Sequence, residues 1–224
     1  MKNIFTISLL LFTSFILAQI EKKNLSFGEI TLVTKAKIKF QNLTWKNDKA
    51  YYYNLESKKN DIFTMIAVGR LDPIKGFDKL IEQISKLDFD FVLNIIGEGS
   101  EKAKLEKLIN SKNLEKKVFL LGFKDNIPQY LANSHLQIIS SLTEGLPLTL
   151  LEGIMNSSVI ISTPVGGIVE VLDKDYLVKI ENFSTKISEI YNNYENICQD
   201  FKSKHGHLKQ KFDFNDYSKN LIEY

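Results

Sequence analysis

"IFTMIAVGRLDPIKGFDKLIEQISKL", Ile62 to Leu87, sets an apolar run closed by a glycine before a second segment whose apolar residues return at helical spacing. From Ile62 to Val68 the only hydroxyl is Thr64, so this segment has no polar face to turn toward water. A strand of that kind has to be covered on both sides. Phe77, Leu80, Ile81, Ile84 and Leu87 then recur every three or four positions, which is the apolar stripe of an amphipathic helix.

The same alternation repeats down the chain. "FVLNIIG" (Phe91–Gly97) precedes "SEKAKLEKLINSK", "VFLLG" (Val118–Gly122) precedes "NIPQYLANS", "LQIIS" (Leu136–Ser140) precedes "LTLLEGIMN", and "VIIST" (Val159–Thr163) follows. Strand and helix in strict turn predict an α/β fold: a single Rossmann-like, doubly wound parallel sheet occupying residues 61–224. Ligands in such sheets lie beyond the carboxyl ends of the strands, so the residues just after each strand carry the functional argument.

The chain before residue 61 follows another plan. "MKNIFTISLLLFTSFILAQI", residues 1–20, has a lysine at position 2, an apolar centre and a small residue, Ala18, near its end. That is the pattern of a secretory signal peptide; a membrane anchor and a buried strand are the second and third readings. Residues 21–60 read as short β-like pieces, "EITLVTKAKIKF" and "KAYYYNL", ending in the charged run "ESKKND", with no evident chemistry.

Composition narrows the classes of function. With 224 residues, 44% hydrophobic and 25% charged, the chain is an ordinary globular one and not a disordered one. A net charge of +2 gives no argument for a nucleic-acid partner. The single cysteine, Cys198, excludes an internal disulfide and a multi-cysteine metal site. Cys198 is expected as a buried structural thiol among Ile187, Ile190, Tyr191 and Tyr194. "HGH", with His205 and His207, reads as a surface turn. "FSTKISEIYNNYENICQDF" reads as one amphipathic helix and "FDFNDYSKNLIEY" as a short terminal one.

The strand ends supply the chemistry. After the first strand, "GRLDPIKG" places Arg70 and Lys75 on either side of a turn in which Pro73 favours a helix start. Two cations and open N–H groups can converge there on a phosphate, or the pair can be plain surface charge. After the second, "GEGS" has Gly97 and Gly99, which allow a close backbone approach to a ligand or simply a strand-to-helix turn. After the third, "GFKDNI" offers Asp125 or Asn126 as a helix cap.

After the fourth strand, "SSLTEGLPLTLLEG" (Ser140–Gly153) sets Glu144 and Glu152 eight positions apart. Pro147 belongs to the first turn of a helix, which leaves Glu144 in the preceding loop and Glu152 inside the helix. The N–H groups of Leu148, Thr149 and Leu150 are then unpaired and face the same crevice. Because "LTLLEGIM" is apolar on most sides, Glu152 has no solvated face. Two carboxylates in such a place suit a ligand rich in hydroxyl donors.

These ordered segments, from about Ile62 to the end of the chain, resemble the donor-binding C-terminal domain of retaining GT-B-fold glycosyltransferases, the glycosyl transferases group 1 family. The markers are "VGRLDPIKGFDKLI", "IIGEGSEKAKLEKLI", "VFLLGF", "EGLPLTLLE" with the family's glutamate–seven residues–glutamate spacing, and "TPVGGIVEVL". The resemblance implies that Arg70 and Lys75 bind the diphosphate of a nucleotide-sugar and stabilise the departing nucleoside diphosphate. Glu144 would contact hydroxyls of the donor sugar, and Glu152 would accept hydrogen bonds from the ribose. The amides around Leu148 and Thr149 would lie near sugar and phosphates, with Gly69, Gly97, Gly99, Gly122, Phe123, Gly145 and Leu146 completing the donor-binding set. No metal or other cofactor is implied, since two fixed cations and a helix N-terminus can stabilise the leaving group.

Family members carry a second Rossmann-like domain that binds the acceptor, and the 40 residues at 21–60 do not resemble it. The first expectation is therefore a glycosyltransferase of polysaccharide biosynthesis. It would use a UDP- or GDP-sugar on a glycan or lipid-linked acceptor with retention, its acceptor side supplied from elsewhere or by a partner chain. The alternative is a non-catalytic nucleotide-sugar-binding module or truncated fragment. A dinucleotide oxidoreductase is disfavoured because no Gly-x-Gly-x-x-Gly turn follows the first strand. Nucleotide-sugars place the chain in the cytoplasm, free or attached to the inner face of the membrane, while the leader leaves secretion open.

Overall fold

A computed structural model of the chain describes residues 43–46, 49–52 and 62–211, with side chains at 62–209. The expected leader, the first β-like piece and the terminal helix lie outside the described residues. The chain divides between Tyr53 and Asn54 into two compact units. In the first, β1 (Leu43–Lys46) and β2 (Lys49–Tyr52) pair antiparallel, Leu43 opposite Tyr52.

The second unit contains β3 (Phe63–Val68), α1 (Phe77–Ile84), β4 (Phe91–Ile96), α2 (Lys102–Ser111), β5 (Val118–Gly122), α3 (Ile127–Ala132) and β6 (Leu136–Ile139). It continues through α4 (Leu148–Asn156), β7 (Ile160–Ser162), α5 (Phe183–Asn192), α6 (Tyr194–His205) and α7 (Leu208–Lys211). Its five strands lie in the order β5-β4-β3-β6-β7 and every pairing is parallel. The chain winds outward from β3 through β4 to β5, returns to β6 on the other side of β3, and goes on to β7. The direction of winding changes between β3 and β6, and the crevice that such a reversal opens lies at their carboxyl ends.

Alternate residues of β3 serve the two faces of the sheet. Met65 and Ala67 join Leu80, Ile84, Leu105 and Ile109 of α1 and α2 in one core cluster. Ile66 joins Ile96, Ile127 and Leu131 in another under α3. This two-sided burial is why the strands read as unbroken apolar runs. Gln137 of β6 is one of the polar exceptions, with Thr64 of β3 and Ser162 of β7: it aligns with Ile66, is 1% exposed, and donates from Nε2 to the Thr149 carbonyl of α4 at 2.7 Å. Its Oε1 accepts from Ser157 at 2.8 Å, so both ends of the amide are satisfied. Any side chain at Gly153 would overlap that same oxygen, which is how α4 comes to lie so close against the sheet.

Three details differ from the sequence reading. The segment expected as one amphipathic helix is two, α5 and α6, parted at Asn193, whose φ of −133° is not helical. Tyr191 faces out, 41% exposed, and stacks on Phe89 with ring centroids 3.9 Å apart, while Cys198 is only half-buried. His205 is not in a surface turn: it is 3% exposed at the end of α6, stacked on Phe201 one turn earlier and edge-on to Tyr176.

Candidate functional site: the crevice between β3 and β6

β3 ends at Val68, and Gly69 donates its N–H to Ile96 O of the neighbouring strand at 2.9 Å. Beyond it a short 3-10 helix, Pro73–Lys75, brings Lys75 back over the sheet edge. From β6 the chain leaves through Ser140 and Ser141, both buried, into the loop that carries Glu144. The two loops are tied together by Leu142 N–H donating to Ile74 O at 2.8 Å and by Ser140 Oγ donating to Lys75 O at 2.8 Å.

This bracing sets Lys75 Nζ 2.5 Å from Glu144 Oε1, with side chains 19% and 13% exposed. Ser141 Oγ donates to the same oxygen at 2.7 Å. A third strand contributes through Thr163, just past β7, whose hydroxyl donates to Ser141 O at 2.5 Å. Arg70, on the same loop as Lys75, is 82% exposed in its side chain and reaches Asp72 at 3.0 Å. The cations therefore differ in setting: Lys75 is largely buried and held by an acid, while Arg70 is exposed.

The Glu144 loop runs into α4. Pro147 is the residue that caps this helix, with extended ψ of 134°, and Leu148 and Thr149 are its first two residues. Their N–H groups have no helical carbonyl to bond, which makes the helix start receptive to negative charge. Leu150, expected to be open as well, donates to Pro147 O at 3.0 Å. Glu152 lies one turn further on, 8% exposed, and burial pushes its carboxyl up to about 7. Leu148 is 66% exposed and Phe123, just past β5, is 70% exposed.

Gly97 and Gly99 serve the backbone of the first loop. A side chain on either would strike the carbonyl of Gly69 or of Leu71, and Leu71 N–H donates to Glu98 O at 2.8 Å between them. Gly122 accepts from Gly97 N–H at 2.9 Å. Gly145 has open space where a Cβ would stand.

The sequence reading missed Ser141, Thr163, Gly166 and Gly167 as members of the crevice. Gly167 N–H donates to Gly145 O at 2.6 Å, and Gly166 sits at φ 54° with its α-carbon against the Glu144 carbonyl. The signals for them are position, since each follows the end of β6 or β7, and membership of the quoted "SSLTEGLPLTLLEG" and "TPVGGIVEVL" segments. Two Asp-x-Asp triplets also occur, and neither is at the crevice. Asp90, just before β4 at the opposite edge of the sheet, pairs with Lys117, and Asp173 and Asp175 pair with Lys204. Among the described residues no group of three acidic, histidine or cysteine side chains is arranged to hold a metal ion.

The model of the family described as glycosyl transferases group 1 matches residues 54–205. The chain belongs to that family. A glycosyltransferase of Methanocaldococcus jannaschii, itself uncharacterised, is 39% identical over 106 residues, 46% of this chain and 26% of its own length. The GPI3 subunit of the Saccharomyces cerevisiae phosphatidylinositol N-acetylglucosaminyltransferase is 29% identical over 178 residues, 74% of this chain and 39% of the subunit. The chain thus spans between about a quarter and two fifths of these curated relatives.

Solved structures carry the same fold. Anabaena HepE in complex with UDP-glucose superposes with a TM-score of 0.68 at 20% identity, over 73% of this chain and 48% of HepE. The C-terminal domain of a group 1 family protein from Francisella tularensis superposes at 0.59 with 22% identity, over 66% of this chain and 85% of that domain. The parallel sheet of this group 1 family chain is accordingly the Rossmann-like C-terminal half of a GT-B fold.

Proposed function

We propose that the β3–β6 crevice binds the nucleotide-sugar donor of a retaining glycosyl transfer. The observation that carries this reading is the Lys75–Glu144 pair, with Arg70 on the same loop and the start of α4 beside Glu144. Lys75 has three N–H donors and spends one on Glu144, so the others remain to meet a diphosphate. Arg70 adds a second, exposed cation, and the amides of Leu148 and Thr149 add fixed dipoles. As the glycosidic bond breaks, charge grows on the departing diphosphate, and prearranged donors stabilise that charge without a metal ion.

Glu144 takes hydroxyls of the sugar, and Glu152, further along α4, takes the ribose. Several relatives are N-acetylhexosamine transferases: the yeast subunit above, a Campylobacter jejuni N-acetylgalactosaminyltransferase that acts on a diphospho-undecaprenol, and a Staphylococcus aureus poly(ribitol-phosphate) N-acetylglucosaminyltransferase. A UDP-N-acetylhexosamine is therefore the first donor to assay, with GDP-sugars second. A glycan or lipid-linked chain is the acceptor class, met in the cytoplasm or at the inner face of a membrane. Titration calorimetry with UDP, GDP and their sugars tests the reading; no heat with any of them would defeat it.

One observation favours a second reading. The chain spans 39% of the yeast subunit and superposes on 85% of an isolated C-terminal domain, so a donor-binding module is the alternative. Transfer or donor hydrolysis by the purified chain alone supports the enzyme. Donor binding with turnover only after another chain is added supports the module.

A further inference from the structure

We infer that Ser141 is a positioning residue that aims the Glu144 carboxylate at the donor sugar, an assignment that rests on the nucleotide-sugar reading above. Two donors, Lys75 Nζ at 2.5 Å and Ser141 Oγ at 2.7 Å, reach one and the same oxygen, Oε1. A carboxylate oxygen offers two lone pairs, so Oε1 is filled and Oε2 is the acceptor left for a ligand hydroxyl. With Lys75 alone, the carboxylate could rotate about its last torsion and present either oxygen. The second donor, from the other side of the crevice, fixes the plane of the group.

Ser141 can do this because it is itself held. It is 2% exposed, and its carbonyl accepts from Thr163 Oγ1, 5% exposed, just past the end of β7. Its neighbour Ser140, 1% exposed, grips the Lys75 backbone. The hydroxyls of Ser140, Ser141 and Thr163 therefore hold the cation and the acid in one register, and among them only Ser141 touches the acid. A group fixed in this way recognises a sugar through geometry instead of through added charge.

The experiment is calorimetric titration of the full chain with UDP and with UDP-glucose and UDP-N-acetylglucosamine, and with GDP and GDP-mannose if the uridine series gives no heat. The proteins are the unmodified chain, Ser141→Ala, Ser141→Thr, Glu144→Ala and the Ser141→Ala/Glu144→Ala double variant, each with its melting temperature. Ser141→Ala is expected to weaken the nucleotide-sugar by about tenfold while leaving the free nucleotide within about twofold. Ser141→Thr, which keeps the hydroxyl, restores the preference, and in the Glu144→Ala background Ser141→Ala has no further effect. Equal losses for nucleotide and nucleotide-sugar, or additive losses in the double variant, overturn the assignment while leaving the nucleotide reading in place. Failure of the unmodified chain to bind any nucleotide overturns both, and the first titration tells the two failures apart.

Discussion

Lys75 and Glu144, 69 positions apart in the chain, meet at 2.5 Å across the point where the winding of the sheet reverses. Neither side chain is more than a fifth exposed, so removing one leaves the other charged in a poorly solvated place. Lys75→Ala is expected to lower the affinity for a nucleoside diphosphate by about ten- to a hundredfold, the cost of a charge-assisted contact. It should also cost about 1–3 kcal/mol of stability through the stranded Glu144. Calorimetry and thermal melting on the same variant measure both.

Arg70 separates binding from stability. With its side chain 82% exposed and, among the described residues, an ion pair to Asp72 alone, Arg70→Ala should shift stability by no more than about 0.5 kcal/mol. Its loss of diphosphate affinity should nonetheless be comparable to that of Lys75→Ala. Unchanged affinity in both variants would remove the phosphate from this crevice.

Two glycines of the same crevice make opposite predictions. Gly166 has φ of 54°, and a Cβ there would collide with the Glu144 carbonyl, so Gly166→Ala must displace the loop that carries Glu144. A loss of at least about 1–2 kcal/mol is expected from the left-handed backbone alone, together with weaker nucleotide-sugar binding. Gly145→Ala points into open space and should melt like the unmodified chain. If it still loses nucleotide-sugar affinity, the methyl is obstructing the ligand's own approach, and that result would place the ligand at Gly145.

These contrasts show what the sequence could and could not disclose. The parallel sheet was legible because the strands read as short, largely apolar runs in strict turn with helices, and the helices because their stripes recur every three or four residues. Glu144 and Glu152 were legible because an acid beside an apolar run is conspicuous. Ser141 and Gly166 were not, since their work is a hydroxyl bond and a backbone contact to partners set by the fold. The break at Asn193 carries no proline or glycine to announce it, and "KSKHGHLKQK" gives no hint that its first histidine is inside. That burial follows from Phe201, one turn earlier, and from Tyr176, which arrives from a distant loop.

Glu152 makes stability depend on pH in an uncommon direction. Burial raises its carboxyl from 4.5 to about 7, so between those values the folded chain keeps a proton that the unfolded chain has released. Its contribution is complete below pH 4.5 and is lost as pH rises through 7, about 3 kcal/mol in all. Glu152→Gln is neutral throughout, so its stability relative to the unmodified chain should climb across this window. If Glu152 takes the ribose as an ionised acceptor, UDP affinity should also rise from pH 6 to pH 8, and that rise should be smaller in Glu152→Gln. A stability difference that stays flat with pH would mean that the Glu152 carboxyl is already ionised in the folded chain.

His205 acts in the opposite sense. Its Nε2 accepts the Asp173 N–H at 3.0 Å, so the ring proton is on Nδ1 and goes to Phe201 O at 2.9 Å. Burial holds the imidazole below its ordinary range, with the Phe201 carbonyl and Asp173 pulling weakly the other way. As pH falls through about 6.5 the unfolded chain takes up a proton that the folded one resists, so stability is present above that pH and drains below it. Protonation would also put a hydrogen on Nε2 against the Asp173 N–H, releasing the link between α6 and the loop that follows β7. His205→Phe keeps the stack on Phe201 but leaves the Asp173 N–H without its acceptor. It should therefore be less stable at pH 7.5, by about 1–2 kcal/mol, yet lose less stability than the unmodified chain between pH 6.5 and pH 5. Equal acid slopes in the two proteins would show that His205 is not held neutral in the folded chain.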